Sequence, residues 1–118
     1  MSSAADLADV EFCYLTTTGR ESGQPHRIEI WFVAHADGAY LLSNSIESDW
    51  YRNLVAEPGV VLEIAGERRD TTAHPVDMTD PANAVIRPAM VAKYQTGYEN
   101  DLREWGETAS LVRVDWPA

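Results

Sequence analysis

The chain has 118 residues, a length that predicts one domain over residues 1–118 with a single modest core. Nineteen acids against nine bases give a net charge of −10, which excludes nucleic acid and anionic membranes as partners, because both need a basic footprint. No apolar stretch of about 18 residues occurs, and the start is not a charged-then-apolar leader, so neither a membrane span nor a signal peptide is expected. The single Cys13 allows no internal disulfide and suits a reducing cytoplasm. It lies in an apolar run, where a buried, inert thiol is the expected state.

Residues 1–10 predict an arm or short helix, with Ser2 to Asp9 as its polar part. Glu11 to Thr18 predicts a first strand, Phe12, Tyr14 and Thr16 alternating with Cys13, Leu15 and Thr17. A loop through Gly19 and Gly23 follows. His26 to His35 predicts the second strand, with Ile28, Ile30 and Phe32 on one face and Glu29, Trp31 and Val33 on the other. Asp37-Gly38 signals a type I′ hairpin turn, and Ala39 to Asn44 returns as the third strand.

Ser45 to Glu57 changes period. Ile46, Trp50 and Leu54 fall on one helical face, Ser45 or Ser48 can cap the start, and Glu57-Pro58-Gly59 stops the helix. Gly59 to Ala65 is the fourth strand, Gly66-Glu67 a turn, and Arg68 to Val76 the fifth strand, ended or placed at an edge by Pro75. Asp80-Pro81 starts a second helix that Arg87-Pro88 breaks or kinks. Helical spacing resumes through Met90, Tyr94, Tyr98, Leu102 and Trp105, weakened at Gly97. Ser110 to Trp116 is the sixth strand. Hairpins without regular βαβ alternation predict a mainly β fold, a six-stranded antiparallel sheet closed into a small barrel.

The stretch Leu15 to Arg27 concentrates hydroxyls, two glycines, a proline and two arginines. Its glycines allow the backbone to curl with N–H groups inward, and Arg20 and Arg27 add bidentate charge, which together suit an anion such as phosphate. A plain polar hairpin loop is the competing reading. Metal binding has little support, since His26, His35 and His74 show none of the paired spacings of a zinc site. No nucleophile-elbow pattern is present.

The chain resembles the deazaflavin (F420)-dependent nitroreductase and quinone reductase family, a branch of the FMN-binding split β-barrel superfamily. The resemblance runs from about Tyr14 to Trp116. It rests on Leu-Thr-Thr-Thr-Gly-Arg-Glu-Ser-Gly-Gln-Pro-His-Arg at residues 15–27, Asp-Trp-Tyr-Arg-Asn-Leu at 49–54, and Glu-Pro-Gly-Val at 57–60. It implies a split barrel and a reduced coenzyme F420, a hydride donor with a phosphate and an oligoglutamate tail, acting on quinone, nitro or enone acceptors. It places Thr17, Thr18, Gly19, Arg20, Ser22 and Gly23 near the phosphate and tail. Residues Pro25 to Ile30, with Pro25, His26, Arg27 and Ile28 foremost, then run along the ring system. Ser43, Asn44, Ser45 and Trp50 approach from the other side, and Tyr94 and Tyr98 line the acceptor side. Such barrels commonly form homodimers.

Two departures reduce the positive charge. Glu21 stands where the family's commonest loop has lysine, and residues 44–49 are acidic and shorter than in many relatives. An FMN-binding split-barrel oxidoreductase therefore fits the same residues, and so does a non-catalytic flavin or hydrophobic-ligand carrier. Hydride transfer needs positioning and exclusion of water more than a nucleophile. Tyr94, Tyr98, Ser43 and His26 are the candidate proton donors.

Overall fold

The computed structural model describes residues Ser2–Pro117. Its centre is one curled antiparallel sheet of seven strands in the order β2-β1-β5-β6-β7-β4-β3. β1 (Cys13–Thr18) buries Cys13, Leu15 and Thr17 and leaves the alternate residues half-buried, the period of a strand with one face in a core. It pairs with β2 (Pro25–Ile30) on one side and β5 (Gly59–Ile64) on the other. β6 (Glu67–Pro75) turns the corner: residues 67–72 pair with β5, and 73–75 pair with β7 (Ser110–Asp115). β4 (Gly38–Ser43) joins β7 to β3 (Val33–His35).

The strand expected over His26 to His35 is therefore two strands, and the count is seven rather than six. β2 and β3 lie at opposite edges of the sheet, joined by Trp31-Phe32. The chain crosses the gap there, so the sheet is closed covalently and not by a ladder of hydrogen bonds. The facing holds through the break. Ile28, Ile30 and Phe32 belong to the interior core with Leu15, Leu41, Leu62 and Val114, while Trp31 and Val33 belong to a second core outside. β4 is buried along its whole length because it separates these cores, Ala39 and Leu41 facing inward and Tyr40 and Leu42 outward.

The turns also differ. The β3–β4 turn is Ala36-Asp37, with positive φ (51°) at Ala36, and not Asp37-Gly38. Gly38 serves close approach instead, since a Cβ there would lie 3.2 Å from the Val114 carbonyl oxygen. Positive φ at both centres, as type I′ requires, occurs at Ala65 (53°) and Gly66 (81°), between β5 and β6.

α1 (Asp49–Ala56) covers one end of the barrel with Leu54 and Asn53 buried. Ser48 stands at its N-cap without making a side-chain cap bond, and Ile46 lies before the helix and is 61% exposed. α2 (Ala82–Gln95) runs through Pro88 unbroken. Fully buried Ile86 and Met90 flank that proline. Their burial, about 1.5–3 kcal/mol each, offsets the roughly 3 kcal/mol that an internal proline costs. The break falls at Thr96-Gly97, after which α3 (Arg103–Thr108) begins. The N-terminal arm is a docked 3-10 turn, Ala5–Leu7, with Ala4 and Leu7 in the barrel core and Ser2 bonded to Glu67 and Trp116.

Candidate functional site

A groove runs between the β1–β2 loop, α1 and the α2–α3 connection. It has two lobes, of about 510 and 720 Å³, that share Ile28 and Trp50. Period-2 alternation along β2 sends His26, Ile28 and Ile30 toward it. Pro25 and Arg27 lie outside the groove lining, while Glu29 also borders the larger lobe.

The smaller lobe is polar and is built on α1. Asn53 is 4% exposed, and its Oδ1 accepts from Arg20 Nη1 at 2.7 Å and from the Arg20 backbone N–H at 3.2 Å. Its Nδ2 donates to Thr17 Oγ1 at 3.3 Å. Arg20 Nη2 meets Asp49 Oδ1 at 3.2 Å. The loop's own backbone is engaged: Gly19 N–H donates to Gln24 O and Gly23 N–H to Gly19 O, each at 2.8 Å. The expected nest of free amides is thus not formed at these two positions, and the anion-binding capacity of the lobe lies in side chains. Gly19 is needed for packing, since a Cβ there would stand 2.6 Å from Ser22 Oγ and 2.7 Å from His26 Nε2. Gly23 holds φ at 71°. One arginine, Arg20, faces two acids, Glu21 and Asp49, in this lobe.

The larger lobe is aromatic. Trp31 stacks on Tyr94 and meets Trp105 and Tyr98 edge-on, with centroids 5.7 and 5.4 Å away. Trp105 Nε1 donates to Asn44 Oδ1 at 2.6 Å, which fixes the indole against β4. Ile28, Ile30 and Leu42 supply the apolar lining.

The sequence candidates divide between these surfaces. Thr17, Gly19, Arg20, Ser22 and His26 line the polar lobe, Asn44 and Tyr98 the aromatic lobe, and Ile28 and Trp50 both. Thr18 and Pro25 line a separate cavity with Gly59 and Arg68. Arg27 packs over the Tyr14 ring at 4.0 Å and pairs with Glu63 at 3.0 Å. Gly23 and Ser45 are exposed outside the groove lining. Ser43 is buried, its hydroxyl donating to the Ser45 carbonyl at 2.7 Å. Tyr94 is buried too; its hydroxyl donates to the Glu11 carbonyl at 2.6 Å and accepts from the Phe32 N–H at 2.9 Å. Burial raises its pKa to about 12, so it keeps its proton and supports the wall. Cys13 is likewise raised to about 12 by burial. Among the described residues no group of three or more His, Cys, Asp or Glu is placed to hold a metal ion.

Sequence reasoning missed Asn53, Asp49, Trp31 and Trp105 as groove residues. Asp49 and Asn53 stand at i, i+4 and Trp50 and Asn53 at i, i+3, so a helical wheel that tracked polar as well as apolar residues places all three on one face.

A family model described as F420H(2)-dependent quinone reductase matches residues 3–116. The chain belongs to that family. A quinone reductase of this description from Mycobacterium tuberculosis is 36% identical over a segment that covers 57% of this chain and 48% of that protein. A counterpart described as putative, from Mycobacterium bovis, gives the same figures. The chain spans about half the length of the curated relatives it matches. Among solved structures, a conserved hypothetical protein of M. tuberculosis superposes with a TM-score of 0.74 at 21% identity, covering 100% of this chain and 82% of the other. An F420 reductase gives 0.69 at 18%, covering 100% and 95%. The haem storage protein HutZ of Vibrio cholerae gives 0.71 at 17%, covering 98% and 85%. The fold is thus shared by a protein described as an F420 reductase and by one described as storing haem.

Proposed function

We propose that this family member is an oxidoreductase that passes a hydride from reduced coenzyme F420 to a small quinone-type acceptor. The two-ended groove carries the reading. A ligand with an anionic end and a flat ring system matches a polar lobe continuous with an aromatic one. When bound, the coenzyme supplies the hydride and its electron pair; the chain supplies binding, orientation and dryness. Arg20, held by Asn53, receives the anionic end with the Thr17 and Ser22 hydroxyls beside it. Ile28 and Trp50 span the join. Trp31, Trp105 and Tyr98 offer ring faces and edges against which a planar acceptor is desolvated. Of the candidate proton donors, Tyr98, 42% exposed, lines the aromatic lobe and His26 the polar lobe; Ser43 and Tyr94 already donate within the protein.

The same reading places the protein in the cytoplasm and pairs it as a homodimer. No helix among the described residues is long and apolar enough to cross a membrane, and one structural neighbour, with a TM-score of 0.60, is described as a domain-swapped dimer. Light scattering reads the mass in solution.

The test is a fluorescence titration of the protein with coenzyme F420 and, separately, FMN, followed by turnover of the reduced coenzyme with quinone, nitroaromatic and enone acceptors. Saturable F420 binding with quinone-dependent oxidation supports the proposal. Preference for FMN moves the protein to an FMN-using reading. Tight binding with no turnover on any acceptor makes it a carrier.

A further inference from the structure

The two partners that α1 presents to Arg20 differ in kind. Asn53 is 4% exposed and also bonds the Arg20 backbone N–H and Thr17, so it positions the guanidinium whatever else is bound. Asp49 has an 88% exposed side chain, and its carboxylate makes one side-chain hydrogen bond among the described residues, to Arg20 Nη2 at 3.2 Å. It covers an edge of the guanidinium that an incoming anion needs. An exposed pair of this kind is weak and salt-sensitive, so it yields readily to a better ligand. Once displaced, however, the carboxylate stays beside the lobe and repels further negative charge. Glu21 lines the same lobe.

We propose that Asp49 is a specificity-determining residue of the anion end: a built-in competitor for Arg20 that limits how much negative charge the bound cofactor carries there. The inference rests on reading the groove as a deazaflavin site. Coenzyme F420 has one phosphodiester, which Arg20 satisfies, and then a tail in which each glutamate adds a carboxylate. With one arginine against two acids in the lobe, short-tailed forms bind best.

The experiment titrates wild-type protein, Asp49→Asn and Asp49→Ala with three fluorescent ligands: the uncharged deazaflavin riboside, the phosphorylated coenzyme without glutamate, and the coenzyme with several glutamates. The wild type is expected to bind the form without glutamate more tightly than the long-tailed form. Both variants should bind the riboside as the wild type does. They should gain affinity for the charged forms, most for the longest tail, by roughly threefold to tenfold at low salt. Raising the salt should shrink the gain. Unchanged or weaker binding of the charged forms, with melting temperatures unaltered, overturns the inference and makes Asp49 a positioning residue for Arg20. If the wild type binds none of the three ligands, the deazaflavin reading itself falls, a result distinct from a flat response to the substitutions.

Discussion

Tyr94 lies flat against Trp31, ring centroids 4.3 Å apart and planes 4° from parallel. Trp31 sits where the chain leaves one edge of the sheet for the other, and the Tyr94 hydroxyl bonds the backbone of both Glu11 and Phe32. The tyrosine therefore fixes the seam and the aromatic wall together. Tyr94→Phe keeps the stack but leaves the buried Phe32 N–H without its partner, a loss of about 1–3 kcal/mol. Tyr94→Ala removes both and should cost about 3–5 kcal/mol. Urea unfolding followed by tryptophan fluorescence measures the two.

Arg20→Glu reverses the charge of the polar lobe's arginine. Affinity for the phosphorylated coenzyme should fall by more than about tenfold. The circular dichroism spectrum should be unchanged, because Arg20 lies outside both apolar cores. Equal affinity in a fluorescence titration removes Arg20 from the site.

Asn53→Ala should act on stability and on binding at once. It strips partners from a buried Thr17 hydroxyl and from Arg20, at about 1–3 kcal/mol, and frees the guanidinium to swing. Weaker binding of the charged coenzyme with unaltered binding of the uncharged riboside is the expected signature.

Acid should loosen the N-terminal arm. Hydrogen bonds from Ser2 and then Arg69 lower the Glu67 pKa from 4.5 to about 2. Folding therefore favours the ionised carboxylate. The stabilisation is complete above pH 4.5 and is lost as pH falls through about 2. Hydrogen-exchange protection of residues 2–8 should decline across that window in the wild type and stay flat in Glu67→Gln.

Gly106→Ala tests the contact between α2 and α3. Alanine in a helix gains up to about 1 kcal/mol over glycine. Here the new Cβ overlaps Val91 Cγ2, and overpacking of that kind costs about 1–3 kcal/mol, so the clash wins. The pair Gly106→Ala and Val91→Ala should recover the lost stability in denaturant melts.

The parts of the fold that follow from local pattern were legible. Cys13, Leu15 and Thr17 alternate inward as the period requires, and β5 and β7 fall where apolar runs place them. The break at Trp31-Phe32 was not legible, because a strand that exchanges one partner for another keeps its period. Pro88 misled because tertiary packing at Ile86 and Met90 overrides propensity. Asp37-Gly38 misled because Gly38 answers a close approach to β7, a demand that composition does not reveal. In the site, the loop composition located Arg20, Ser22 and His26 beside one another. It also drew in Arg27, which strand alternation turns to the outer face. Asn53 escaped because its partners lie 33 and 36 residues away.

The groove's two walls belong to different cores. Trp105, Tyr98 and the segment around them contribute no residue to the barrel interior, whereas Thr17 and Asn53 ride on β1 and α1, which pack on it, and Arg20, in the loop after β1, is bonded to Asn53. The exposed positions of residues 96–109 can therefore be rewritten without disturbing the anion clasp, while Leu102, Gly106 and Ala109 stay fixed by the outer core. Evolution can exchange acceptors at one end of this groove while inheriting the other end intact, and a laboratory can graft acceptor walls in the same way.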